Sequence, residues 1–233
     1  MQQSAPRLVH LHIPKTAGTS LTRAFVALYD MDRVCPARYE PEFEGVNIAD
    51  FDFFTGHIGF TCAARFDAPI VCLLRDPVDR FVSVYFYWRQ LVESENRKEW
   101  GPRAAYALSL EEFAERFDES SLTEELYNRI TWQIASSFHF SERRRMMGVT
   151  QAELLEKAIA NLRKCAVVGR VEDMAGFVRD CRNTLGVELD IGRLNVTKNR
   201  PSASQVPLSV RRKIMQWVPL DLELYWSVAN QKV

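Results

Sequence analysis

The chain has 233 residues, with 30 Lys and Arg balanced by 30 Asp and Glu. A formal net charge of zero argues against a general nucleic-acid binder, although local basic sites stay open. Hydrophobic residues make up 47%, enough for the core of one α/β domain, and no apolar run approaches the ~20 residues of a membrane span.

In chain order, "MQQSAPR" carries no apolar signal region, and Leu8–Ile13 reads as a buried strand. Thr19–Tyr29 reads as the helix after it, and 31–52 as loop. The second strand is "PIVCLLRD", Pro69–Asp76, too continuously apolar for a one-faced antiparallel strand. Pro77 suits a first helical turn and opens a long helix through "VDRFVSVYFYWRQLVE". The apolar members of "YFYWR" read as core. Ser109 with Glu112 and Thr150 with Glu153 match capping boxes, predicting helices near 110–117 and 151–164. Another helix is expected over 121–137. Cys165–Arg170 reads as a third strand, followed by a helix near 173–185, a polar loop and two short terminal helices. Strands alternating with helices predict a three-layer α/β fold with a mainly parallel sheet flanked by helices. We expect a single domain over 1–233, with 95–150 as a helical cap. The five cysteines are odd in number and lack C-x-x-C spacing, so reduced cytoplasmic thiols and no metal site are expected.

The stretch "HIPKTAGTS" joins the first strand to the first helix. A helix N-terminus offers unpaired N–H groups and a positive dipole end, which together hold anions. Lys15 adds a charge, Thr16, Thr19 and Ser20 add hydroxyls, and Gly18 permits close backbone approach. Arg75 ends the second strand, where open α/β sheets bind ligands, and Ser83 follows eight residues later. An arginine there can grip a phosphate through two N–H groups. Two anion elements imply a ligand with two separated phosphates.

At these residues the chain resembles a known family. "HIPKTAGTS" is similar to the 5′-phosphosulfate loop of sulfotransferases, residues Lys15, Thr16, Ala17, Gly18, Thr19 and Ser20. "RDPVDRFVS" is similar to their 3′-phosphate element, Arg75 and Ser83. "TGHIGF", "NRITWQIASS", "VVGRVEDM" and "LNVTKNRP" extend the resemblance toward the carbohydrate branch that contains heparan sulfate (uronyl) 2-O-sulfotransferases and bacterial relatives. The resemblance implies a P-loop-like fold and 3′-phosphoadenosine 5′-phosphosulfate (PAPS) as donor. It also implies a saccharide or glycolipid hydroxyl as acceptor. No metal is expected, since a sulfate ester carries less charge than a phosphate ester and "VCLLRD" presents Arg75 where a magnesium-holding Asp would stand. Thr197 and Lys198, with Asn195, match the family's loop over the donor. Eukaryotic members of this branch usually carry an N-terminal membrane anchor; the start of this chain shows no such segment, so a bacterial cytoplasmic enzyme or an isolated catalytic domain is expected, peripheral at the membrane if the acceptor is lipid-linked.

His57, in "FFTGHIGF", is the expected general base, since imidazole titrates near neutrality and the matching family histidine has that proposed role. His10 and His12 alternate along the first strand and read as structural packing; His139 has no supporting context. Glu42, Glu44, Asp50 and Asp52 are alternative bases. Asn128, Trp132 and the cluster Arg143, Arg144 and Arg145 are candidates to face the acceptor. Two other readings stay open: a small-molecule kinase using Asp76, and a non-catalytic module for a nucleotide or glycan.

Overall fold

The computed structural model describes residues 5–95, 98–116, 125–138, 148–192 and 200–229. Four strands form one parallel sheet in the order β2-β1-β3-β4: β1 Leu8–Leu11, β2 Phe53–Gly56, β3 Ile70–Leu74 and β4 Val167–Arg170. β2 lies inside the stretch the sequence left without regular structure. Its four residues are too few for a period to show. Pairing along β1 and burial of Phe53 and Phe54 on opposite faces hold it in place.

Side-chain parity sorts the two faces of the sheet. Val9, Leu11, Phe54, Cys72 and Leu74 enter one core with helices α2 (Phe60–Ala63), α6 (Arg129–Ala135), α7 (Gln151–Leu162) and α10 (Pro219–Ala229). Leu8, Phe53, Val71 and Leu73 enter another, beneath α1 (Gly18–Val26) and α8 (Met174–Leu185). A third core lies off the sheet. It joins α3 (Pro77–Glu95), α4 (Trp100–Ala107), α5 (Leu110–Ala114) and α9 (Leu208–Met215) around Trp217, whose Nε1–H donates to the Ala114 carbonyl at 2.9 Å. Both capping boxes form, at Ser109 and Thr150.

The layout fixes where a ligand can sit. β1 has one neighbour reached early in the chain, β2, and one reached later, β3, so the connections diverge from its C-terminal end. Such a switch point leaves a crevice. The loop after β1, His57 after β2 and Arg75 after β3 all open onto that edge.

One buried joint ties α6 to α10. Asn128, just before α6, accepts the Leu220 N–H at 2.9 Å through Oδ1. Asp221, one residue on, accepts the N–H groups of Ile130 and Thr131 at 3.2 and 2.7 Å and the Thr131 hydroxyl at 2.7 Å. Each helix start is thus capped by a side chain of the other. Asp221 is 1% exposed; burial raises its pKa, and the nearby Arg80 charge opposes that rise. Asp221→Ala should lower unfolding free energy by about 3–5 kcal/mol, the scale of stranding buried charge and capped donors. Urea denaturation checks this, and a loss under about 1 kcal/mol would contradict the joint.

Candidate active site

The loop from His12 to Ala17 is held by its carbonyls. Gln133 Nε2 on α6 donates to the His12 carbonyl at 3.0 Å, and the Thr16 hydroxyl donates to that of Ile13 at 2.8 Å. Arg80 Nε on α3 donates to the Pro14 carbonyl at 3.1 Å, and Arg75 Nη1 to that of Lys15 at 3.0 Å. Four successive carbonyls are therefore engaged by side chains. Among the backbone hydrogen bonds described outside the helices and strands, none is donated by residues 15–19. Lys15 and Ala17 have φ of 68° and 60°. Left-handed residues at alternate positions turn N–H groups toward one side, the geometry of a backbone nest.

This changes the parts played by two residues. The Thr16 hydroxyl is committed inward, so Thr16 offers an anion its N–H. Gly18 is the first residue of α1, and its φ is not positive. A Cβ there would lie 2.0 Å from His12 Cδ2 and Nε2, so the glycine makes room for an imidazole. Ser20 is buried at the α1 start, while Thr19 is exposed and lines a cavity beside His57.

Positive charge gathers around the loop. The Lys15 pKa falls to about 8, through burial first and then the charges of Arg75, Arg200 and Arg80. Its ammonium sits 3.7 Å from the centre of the Tyr87 ring, a cation–π contact. Tyr87, in "YFYWR", is thus an exposed partner of Lys15, whereas Tyr85 is core. Asp79 gathers two arginines: Arg75 Nε at 2.7 Å and Arg200 Nη1 at 2.6 Å. Burial pushes the Asp79 pKa up, but those two cations outweigh it and the net shift is downward. Arg80 is 2% exposed, its pKa brought down to about 10 by burial, and its Nη1 has no hydrogen-bond partner. Ser83, on the same helix, is buried. Asp76 Oδ1 accepts the Asp79 N–H at 2.8 Å and so caps α3, a structural use of the carboxylate on which the kinase reading relied.

His57 follows β2, with its N–H donating to the Arg38 carbonyl at 2.8 Å. Its ring stacks on Phe138 at 5.2 Å, and the Arg129 guanidinium covers Phe138 at 3.9 Å. Burial, then the Arg129 charge, hold its pKa below 6.5, against a smaller pull from Glu125. Glu40 accepts the N–H groups of Gly59 at 2.5 Å and Phe138 at 3.0 Å, fixing the segments on both sides of the imidazole. A cavity of about 340 Å³ opens beside His57, lined by His12, Thr19, Thr22, Arg23, Arg38, Tyr39 and Thr55 among others.

His12 is therefore a neighbour of His57, with ring centroids 4.7 Å apart, and not a packing residue alone. His10 is buried, with Nδ1 3.0 Å from the Thr55 hydroxyl, and burial brings its pKa down to about 3. Among the described residues no group of three or more His, Cys, Asp or Glu side chains is arranged to hold a metal ion. Of the alternative bases, Asp52 pairs with Arg33 at 2.8 Å, Glu42 accepts the Arg38 N–H at 2.6 Å, Asp50 accepts from Asn47 at 3.1 Å, and Glu44 is exposed. None of the four lines the His57 cavity. Asn128 is fully buried in its cap, and Trp132 packs against the core. Asn195, Thr197, Lys198, Arg143, Arg144, Arg145 and His139 lie outside the described residues.

Sequence reading missed Arg80, Arg200 and Gln133. Arg80 and Gln133 were visible inside "RDPVDRF" and "TWQIASS", but a buried side chain that grips a distant carbonyl leaves no local pattern.

No curated protein sequence matches the chain. Among solved structures it is similar to a crystal structure titled as a sulfotransferase from Alicyclobacillus acidocaldarius. The identity is 18%, with 98% of this chain and 97% of that one covered and a TM-score of 0.46. The family model described as "Sulfotransferase family" matches residues 2–226. With that match spanning nearly its whole length, the chain belongs to the sulfotransferase family, whose chemistry is sulfuryl transfer.

Proposed function

We propose that the protein transfers the sulfuryl group of PAPS to an acceptor hydroxyl, with a saccharide as the acceptor class. The observation that carries the donor reading is the loop whose four carbonyls are engaged from behind, leaving N–H groups of residues 15–19 beside Lys15. The residues fit such a donor: a buried Arg80 nitrogen without a partner, and a Lys15 depressed by burial and then by three neighbouring cations, are what an anionic ligand relieves. Lys15 and the loop N–H groups would hold the 5′ side. Arg75 and Ser83 would hold the 3′-phosphate, with Arg200 beside them through Asp79. The bound donor supplies an activated sulfuryl group.

The chain's own tasks are then three. It holds the phosphates in one orientation. It stabilises the charge that grows on the leaving phosphate oxygen, through Lys15 and the N–H groups. Through His57 it takes the proton of the attacking hydroxyl. Arg23, Arg38, Tyr39 and the Thr22 and Thr55 hydroxyls of the adjoining cavity are groups suited to a polar, hydroxyl-rich acceptor.

Adenosine 3′,5′-bisphosphate should bind more tightly than AMP in calorimetry. Arg75→Ala should remove about 1.5–3 kcal/mol of that advantage, the scale of a charge-assisted contact. Equal affinity of the wild-type protein for the two nucleotides would sink the donor assignment.

His57→Ala should keep bisphosphate affinity and lower turnover by about 10²–10⁴-fold. A protonated imidazole cannot accept a proton, and this one has its pKa held below 6.5. The pH–rate profile of the wild type should therefore rise through a limb lying below pH 6.5 and then level off. The same limb surviving in His57→Ala would assign the base to another group.

A further inference from the structure

His57 has an imidazole neighbour that the donor and base assignments leave unused. His12 stands just past the C-terminal end of β1, and two ring contacts hold its imidazole. His10 stacks on it at 5.4 Å with 13° between planes, and His57 meets it edge-on at 4.7 Å and 75°. The missing Cβ of Gly18 leaves space for the edge that carries Cδ2 and Nε2. Gln133 holds its backbone through the His12 carbonyl. Unlike the buried His10 ring, which is tied to Thr22 and Thr55, the His12 ring lines the cavity shared with His57, and its nitrogens hold no hydrogen bond among the described residues. The imidazole thus lies between Gly18 at the start of α1 and the His57 ring, on the cavity wall.

We propose that His12 is a second catalytic residue, donating a hydrogen bond to an oxygen of the migrating sulfuryl group. The proposal rests on the donor reading above. In the step, the acceptor oxygen forms a bond to sulfur and its proton passes to His57. The sulfur–oxygen bond to the donor phosphate breaks, and its electron pair stays on the phosphate oxygen. His12 keeps its proton throughout. The groups facing it favour that division of labour. Burial comes first, then His10, His57 and Lys15, and together they hold the His12 pKa well below 6.5. An imidazole whose pKa is held this low is a poor acceptor for the hydroxyl proton, yet in its neutral form it still presents one N–H. Helix N-termini support neutral histidines as electrophiles in the same way.

The test compares His12→Ala, His12→Gln and His12→Phe; the last two keep the volume, and Gln also keeps an N–H donor. The probes are adenosine 3′,5′-bisphosphate, which lacks the sulfuryl group, and PAPS, with slow sulfuryl loss to water read as the reaction. Bisphosphate affinity should stay within about threefold in all three variants that fold. Sulfuryl loss should fall about 10²-fold or more in Ala and Phe, the scale of one transition-state donor. It should recover at least about tenfold of that loss in Gln. The ring nitrogen resonance of His12 should shift with PAPS and not with the bisphosphate. Phe matching wild type, Gln no better than Phe, or bisphosphate affinity falling in step with the rate would each overturn the proposal. A wild-type protein that binds no bisphosphate would instead overturn the donor reading, and this inference with it.

Discussion

Everything at the crevice depends on four hydrogen bonds that point the loop's carbonyls away from it. Each residue of a backbone segment carries an acceptor and each non-proline residue a donor, so a loop that presents its N–H groups to one side must dispose of its carbonyls elsewhere. Here Gln133, Thr16, Arg80 and Arg75 do so for residues 12–15 in turn. The donors come from α6, from the loop itself, and from α3 and the turn before it, so the conformation is set by tertiary structure. Two non-glycine residues in the left-handed region, Lys15 and Ala17, cost about 1–3 kcal/mol each, which such over-determination offsets.

The same donors create an electrostatic imbalance. Arg75 and Arg200 pair with Asp79, Arg80 and Lys15 lie nearby, and burial first, then the three arginine charges, bring the Lys15 pKa down to about 8. Arg80 gives one nitrogen to the loop and keeps another unsatisfied. A buried donor left unmade costs about 1–3 kcal/mol. An anion bound there, as in the proposed donor complex, would relieve that cost. What keeps the arrangement folded lies one layer below. Asn128 and Asp221 cap each other's helices and place α6, hence Gln133, while the Asp221 charge opposes that of Arg80.

The central strands and most helices were legible because their signals are local. β3 is a continuous apolar run, Pro77 marks the start of α3, and two capping boxes stand where the helices begin. β2 was not legible, because four residues show no period and its stability comes from pairing with β1. The Lys15–Ser20 loop, Arg75 and His57 could be singled out in the sequence as candidate residues. Their supports could not. Arg80 and Gln133 reach loop carbonyls 66 and 121 residues away in the chain. His12 looked like packing because strand parity puts it on the same side as buried His10; its second neighbour, His57, comes from a strand the sequence did not reveal. Gly18 looked like conformational freedom, and its use is steric.

The most direct measurement is the backbone amide spectrum of residues 15–19, followed by NMR as adenosine 3′,5′-bisphosphate is added. If these N–H groups are held free for a phosphate, their proton resonances should move strongly downfield and their exchange with solvent should slow. The changes should be largest within this loop. Saturating binding that leaves these five amides unmoved, with the shifts elsewhere, would contradict the account.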